Sequence, residues 1–358
     1  MSKTVFVLGA GASVEAGAPV MNDFLDKAER LRELGRVSDS QREFDLVFKA
    51  LAALNHAHSK AVLNVRNIEE VFAAFEMAKL IRRLDPLAIE DIESLPEAMQ
   101  RVIVRTLEKS VLFPIEKRVG LKLPGKYEGF ADLFIHLAQK YPDIGNRASI
   151  ITFNYDICLD MALYQAQVPI EYYLESTQAD FRSIPLLKLH GSLNWFKCSG
   201  CGKPAPWKLR DYWTNRYQTV YDGETTMEIS QRSHEFKHCP NATTPKSAYV
   251  VPPTWNKSQY HGELESVWGA AARELSNASN IIVCGYSLPQ SDHFFRQLYA
   301  LGTISDHRIR NFWVFDPDES VKHRFASLLG QAAIERFEYR GYSFDGNVFG
   351  TVRPFLEI

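Results

Sequence analysis

Five residues near the start of the chain, Thr4-Val5-Phe6-Val7-Leu8, are β-branched or apolar without interruption, and they stop at Gly9-Ala10-Gly11-Ala12-Ser13. An uncut run of this kind predicts a strand buried on both faces, and the glycines after it predict a tight turn into a helix. Such a strand needs parallel neighbours and helices above and below it, so the junction narrows the chain to α/β folds. Similar runs recur at Ser149–Phe153, Leu186–Leu189, Ala248–Val251, Asn280–Cys284 and Phe312–Phe315, each ending in a small or polar residue. Helical stretches such as Ile157–Ala166 and His293–Leu301 lie between them. The pattern predicts a Rossmann-like, mostly parallel, doubly wound sheet. Ligands of such sheets bind beyond the carboxyl ends of the strands. The residues expected there are Gly9–Ser13, Asn154-Tyr155-Asp156, His190-Gly191-Ser192, Gly285-Tyr286-Ser287 and Asp316-Pro317-Asp318.

The sheet-forming sequence falls into three segments, 1–24, 146–195 and 246–358. Between them the reading expects a large helical insertion, 25–145, and a small cysteine-containing module, 196–245. In the insertion, Asn67-Ile68-Glu69-Glu70 resembles a capping box, and Ile68, Val71, Phe72 and Phe75 follow helical spacing. Pro86, Pro96, Pro114 and Pro124 are read as punctuation of its helices. Lys plus Arg is 41 and Asp plus Glu is 43, a net charge of −2, which offers no bulk attraction to nucleic acid or an anionic membrane. Arg82-Arg83 and Lys117-Arg118 read as solvated helix faces. With 46% hydrophobic and 23% charged residues, disordered and coiled-coil classes are excluded. No apolar run approaches the roughly 18 residues of a membrane span. Five cysteines in a chain of this length point to a reducing cytoplasm, with clustered cysteines read as metal ligands rather than a disulfide. Cys158 and Cys284 sit in apolar surroundings and are expected in the core; core packing is also the favoured reading of Trp195 and Phe196.

A glycine turn leading into a helix presents backbone N–H groups and a positive helix end, which suits a pyrophosphate. Taken alone, such a loop is common. The acidic residue that dehydrogenases carry about 20 positions later on a second strand has no counterpart, because the chain turns helical there, so hydride transfer is demoted. Asn154 alone reads as a turn residue and His190 alone as a hydrogen-bonded histidine. Their joint occurrence with the glycine loop, at matching strand ends, is more specific.

Gly9-Ala10-Gly11-Ala12-Ser13, Gly17-Ala18-Pro19, Thr152-Phe153-Asn154-Tyr155-Asp156, Lys188-Leu189-His190-Gly191-Ser192 and Gly285-Tyr286-Ser287-Leu288-Pro289 together resemble the sirtuins, and more closely the sirtuin-like proteins of bacterial antiviral defence. The resemblance covers about half the chain. It implies a site for NAD+ in which the nicotinamide–ribose bond is broken. Asn154 matches the family's asparagine, which holds ribose hydroxyls or a water; His190 matches its general base; Asp156 matches an orienting or ribose-contacting aspartate. Gly9, Ala10, Gly11 and Ser13 match the phosphate loop, and Gly285 and Ser287 a later dinucleotide-binding segment. Asp316 stands where the family usually has an asparagine near the adenosine ribose. The chemistry agrees with these residue types. Nicotinamide leaves from a pyridinium without a strong acid, and an imidazole of unperturbed pKa about 6.5 can take the proton of the trapping nucleophile.

Two departures from the sirtuin pattern bear on the acceptor. Deacetylating sirtuins carry Pro-Asp-Phe-Arg after the glycine loop; here Pro19, Asp23 and Phe24 are the corresponding cofactor-binding candidates, with Asp23 and Phe24 offset by three residues and the Arg absent. The segment that pairs with an acyl-lysine peptide corresponds to Tyr249–Trp255, where Pro252 and Pro253 remove two backbone donors. Water is therefore favoured as acceptor: the expected activity is an NAD+ glycohydrolase (NADase), an NAD-depleting effector of antiphage defence. The alternatives are an NAD-dependent deacylase and a non-catalytic subunit that binds NAD or ADP-ribose. The resemblance further implies a homo-oligomer or a complex with a HerA-type ATPase or an Argonaute-like protein. Cys198-Ser199-Gly200-Cys201 is half of the sirtuin zinc module, and the second Cys-x-x-Cys is absent. Cys198, Cys201 and Cys239 with His238 or His234 would make a tetrahedral zinc site; the other reading is a decayed module of reduced thiols.

Overall fold

The computed structural model describes residues 2–55, 63–116, 120–123, 126–175, 180–207, 209, 224–226, 238–240, 242–243, 247–252, 262–289 and 292–358, with only the backbone of 115, 116, 120, 121 and 224–226. His234, Lys117-Arg118, Pro124 and Pro253–Trp255 lie outside the described residues.

Among the described residues, seven strands form the central sheet: β1 (Thr4–Leu8), β2 (Ala148–Thr152), β3 (Ile170–Glu171), β4 (Ile184–Lys188), β5 (Asn280–Cys284), β6 (Asn311–Phe315) and β7 (Phe337–Arg340). Their spatial order is β7-β6-β5-β1-β2-β4-β3, and all six pairings are parallel. In β1, Phe6 and Leu8 enter one apolar cluster and Val5 and Val7 the other, which is why the run carries no polar alternation. The face of Phe6 and Leu8 is covered by α5 (Tyr127–Lys140) and α6 (Cys158–Gln165); Phe130 and Phe134 of α5 lie edge-on to Phe6. The opposite face is covered by α7 (Glu265–Ser276) and α8 (His293–Gly302), through Val267, Ala270, Phe295 and Leu298. The chain steps from β1 to β2, β4 and β3 on one side and returns to β5 on the other. The order thus reverses at β1, and the crevice of a doubly wound sheet opens at that reversal.

The expected insertion contains α1 (Phe24–Glu33), α2 (Gln41–Leu54), α3 (Ile68–Ile81) and α4 (Ile89–Ser110), with α4 packed against the other three. Asn67 caps α3 by accepting from the amides of Glu69 and Glu70, while Glu70 reaches Asn64 N instead of closing the box on Asn67. Ile68, Val71, Phe72 and Phe75 are buried as their spacing predicts. Pro96 departs from the expectation: it lies inside the unbroken 22-residue α4. Ile92, Leu95, Met99 and Val102, buried on both sides of it, hold the helix through the missing donor. Tyr249–Val250, within the strand-like run 248–251, pairs antiparallel with Gly191–Ser192 outside the central sheet. The 3-residue arms Trp195–Lys197 and Pro204–Pro206 form a hairpin whose turn carries Cys198 and Cys201.

Candidate active site and cysteine pocket

The carboxyl ends of β1, β2, β4, β5 and β6 carry all five expected clusters. Glycine is required at two of these ends by packing between the loops themselves. A Cβ on Gly9 would stand 2.5 Å from the Gly285 carbonyl oxygen, and one on Gly11 2.8 Å from the Gly285 Cα. Gly285, at φ +61°, would put a Cβ 2.5 Å from Ala12 N. The Gly11 amide donates to the Gly285 carbonyl at 2.9 Å. The two loops meet backbone to backbone, which only glycine permits.

Asn154 ties β2 to the glycine loop. Its Nδ2 donates to the Gly9 carbonyl (2.9 Å) and to Ser13 Oγ (3.1 Å). A carbonyl can only accept, so the amide orientation follows, and Oδ1 remains as an acceptor. Ser13, fully buried, also shares a 2.7 Å hydrogen bond with Tyr127 Oη of α5. Burial, ahead of the nearby Asp156 and Cys158, pushes the Tyr127 phenol well up, so it is a neutral hydroxyl. His190 packs against the rings of Phe153 (5.2 Å) and Tyr155 (6.1 Å), and its backbone carbonyl accepts from Val251 N. Phe153 in turn stacks on Tyr286 at 4.3 Å. Three chain segments distant in sequence therefore meet around Asn154 and His190.

The other candidates divide. Asp316 is buried at the end of β6, where Oδ1 accepts from Asp318 N; burial raises its carboxyl above the ordinary range. Gly285 and the half-buried Ser287 line the β5 end, and Ala10 is half-buried beside Gly9. Asp156 Oδ1 accepts from Cys158 N, in the first turn of α6, at 3.0 Å. Asp23 is used within its own turn, accepting from Val20 N and pairing with Lys27. Pro19 and Phe24 are buried. Cys158 and Cys284 are core residues, and burial raises both thiols far above their usual range. Trp195 and Phe196 are fully buried, in line with the core reading.

Several neighbours escaped the sequence reading. Lys188 is 1% exposed and donates to the Asp156 carbonyl (2.6 Å) and Asp160 Oδ2 (2.8 Å). Gln100 of α4 donates to the Val250 carbonyl at 3.0 Å. A charged residue closing an otherwise apolar run, Ile184-Pro185-Leu186-Leu187-Lys188, is the signal that points to a buried pair. Tyr127 and Gln100 carry no such signal.

The cysteine pocket gathers Cys198, Cys201, His238 and Cys239, whose ligand atoms all lie within 4.8 Å of one another. His238 Nδ1 is 3.4 Å from Cys201 Sγ and 3.5 Å from Cys239 Sγ; its Nε2 is 2.5 Å from Glu175 Oε1. Three sulfurs and a nitrogen at these separations fit tetrahedral zinc, which with Zn–S of about 2.3 Å sets ligand atoms about 3.5–3.8 Å apart. A carboxylate on the far nitrogen is the usual partner of a metal-bound histidine. Burial opposes ionisation of Cys198, but the amides of Cys201 and Gly200 and the His238 ring outweigh it and bring the thiol down to about 6.

No family model and no curated protein sequence matches the chain. Among solved structures it is similar to a Sir2 homologue in complex with NAD (15% identity, TM-score 0.44, covering 99% of this chain and 89% of that one). It is also similar to a Sir2 homologue bound to ADP-ribose (16% identity, TM-score 0.42, 99% and 90%) and to Sir2Tm bound to a propionylated peptide (15%, 0.37, 99% and 92%). At these values neither activity nor substrate follows from the likeness. No helix among the described residues is long and apolar enough to cross a membrane.

Proposed function

We propose that the rim around Asn154 and His190 binds NAD+ and hydrolyses its nicotinamide–ribose bond. The observation that carries this is the convergence at the topological reversal: one asparagine amide holds the glycine loop at Gly9 and Ser13, and its neighbours Phe153 and Tyr155 hold His190. The crevice at the β1 end suits the pyrophosphate. Asn154 Oδ1 offers an acceptor to a ribose hydroxyl or the attacking water. The C–N bond to nicotinamide breaks with its electron pair leaving on the ring, which becomes neutral. Water adds to the ribosyl cation, and His190 takes the proton. The balance is NAD+ plus water giving nicotinamide, ADP-ribose and a proton.

Water is favoured over an acyl-lysine peptide because the edge such a peptide would use is obstructed. Val251 N donates inward to His190, so the Val250 carbonyl faces outward, where Gln100 occupies it. Pro252, next along that edge, has no donor. Zinc in the Cys198, Cys201, Cys239 and His238 pocket would staple the hairpin to the segment around 238–239. The resemblance supports a role as an NAD-depleting effector of antiphage defence, working as an oligomer or with a HerA-type ATPase or Argonaute-like partner; sedimentation of the purified chain, alone and with each, tests that part.

The decisive experiment is incubation with NAD+ and no peptide. Nicotinamide and ADP-ribose should form, and His190→Ala and Asn154→Ala should each abolish them. Release that requires an acylated peptide would point to a deacylase, and intact NAD+ bound for hours to a non-catalytic subunit.

A further inference from the structure

We infer that Lys188 is a positioning residue: its buried ammonium clamps the Asn154 loop to the His190 loop and sets the distance at which the two act. This rests on the NAD+-cleaving reading for its catalytic consequence. The geometry of the clamp stands on its own.

Lys188 ends β4 two residues before His190, so it is anchored on the histidine's strand. Its Nζ crosses to the neighbouring loop and donates to the Asp156 carbonyl, two residues after Asn154, and to Asp160 of α6. Both ion-pair side chains are 1% exposed. The pair continues into a chain of buried and half-buried hydrogen bonds. Tyr172 donates to Asp160 Oδ1 (2.5 Å), Asn194 Nδ2 to Tyr172 Oη (3.1 Å), and Ser192 Oγ to Asn194 Oδ1 (2.6 Å). Leu193 N then returns to the Tyr155 carbonyl at 2.8 Å. The ring so formed starts and ends on Asn154-Tyr155-Asp156, and runs through the stretch that follows His190. Its only cation is Lys188.

A buried ion pair is weak evidence of stabilisation, since a neutral pair of similar shape often folds as well. What an apolar pair would not supply is a directional bond to the Asp156 carbonyl. Taken with its place between the two loops, this makes register, rather than stability, the role that explains the charge.

The test compares the parent with Lys188→Met and with the neutral pair Lys188→Met/Asp160→Asn, in which the introduced amide oxygen remains an acceptor for Tyr172. The single variant leaves Asp160 unpaired and is expected to lose stability. The neutral pair should recover the parent's melting temperature to within a few degrees. Even so, amide exchange in 153–156 and 189–193 should rise at least fivefold together, with β1 and β5 unchanged. Its kcat for nicotinamide release should fall tenfold or more while the dissociation constant of ADP-ribose stays within twofold. Unchanged exchange in the two loops overturns the inference, as does parental kcat in the folded neutral pair. If the parent itself releases no nicotinamide, the functional reading falls, and the exchange measurement alone decides the clamp.

Discussion

Gly285→Ala is the sharpest probe of how the rim is built. The residue has φ +61°, a conformation that costs an alanine about 1–2 kcal/mol. Its new Cβ would stand 2.5 Å from Ala12 N and 2.7 Å from Gly11 C, both backbone atoms that cannot swing aside. Forcing extra volume into a packed site adds about 1–3 kcal/mol. The sum is about 2–5 kcal/mol, and at about 1.3 °C per kcal/mol for a chain of this size the melting temperature should fall by roughly 3–7 °C. Gly35→Ala isolates the first contribution: Gly35 has φ +65° and nothing within 4 Å of its Cβ position. It should lose only roughly 1–3 °C by the same conversion. Thermal melts with and without 1 mM ADP-ribose provide both readouts. The ligand should raise the melting temperature of the parent and of Gly35→Ala, and of Gly285→Ala much less. A Gly285→Ala melt no lower than that of Gly35→Ala would refute the claim that the two glycine loops are in backbone contact.

Tyr127→Phe removes one hydroxyl from Ser13 and keeps the ring; it should cost about 1 kcal/mol and weaken ADP-ribose binding, read by denaturant melts and calorimetry. Asp316→Asn should behave with a defined sign. The folded carboxyl is raised by burial, so the acid form stabilises the fold and that contribution is lost as pH rises through the folded pKa. The variant should therefore be more stable than the parent at pH 7, with the gap closing toward pH 4 in urea melts; a gap that widens in acid contradicts the assignment. Purified protein should carry one zinc per chain by elemental analysis, Cys201→Ser should lose it, and Glu175→Gln should weaken zinc retention about 10- to 100-fold against a competing chelator.

Much of the central sheet was legible because β1, β2, β4 and β5 are buried on both faces, and β6 on one face and half-buried on the other, so that they read as apolar runs. β1 and β5 fall on the expected residues, and β2, β4 and β6 within two. β3 and β7 were not legible: they are edge strands, half-buried, and Ile170-Glu171 or Phe337-Glu338-Tyr339-Arg340 offers no such run. Residues 248–251 misled for the opposite reason, being apolar but confined to a two-residue pairing ahead of Pro252. The rim loops were readable since glycine, asparagine and histidine at strand ends carry local chemistry. Tyr127, Asp160 and Gln100 were not, because each acts through a contact that only the tertiary fold creates. The glycines themselves have a second reason for being there: the loops' own packing requires them, whether or not a phosphate is bound.

The first strand is finished by the fifth. Gly9 and Asn154 leave the ribosome long before Gly285, yet the β1 loop has no wall on one side until the β5 loop arrives. A nascent chain thus carries half a cleft, and chemistry that needs both walls must wait until Gly285 has been translated. Under the NAD+-cleaving proposal, strand order alone supplies a delay between the start of synthesis and the first turnover.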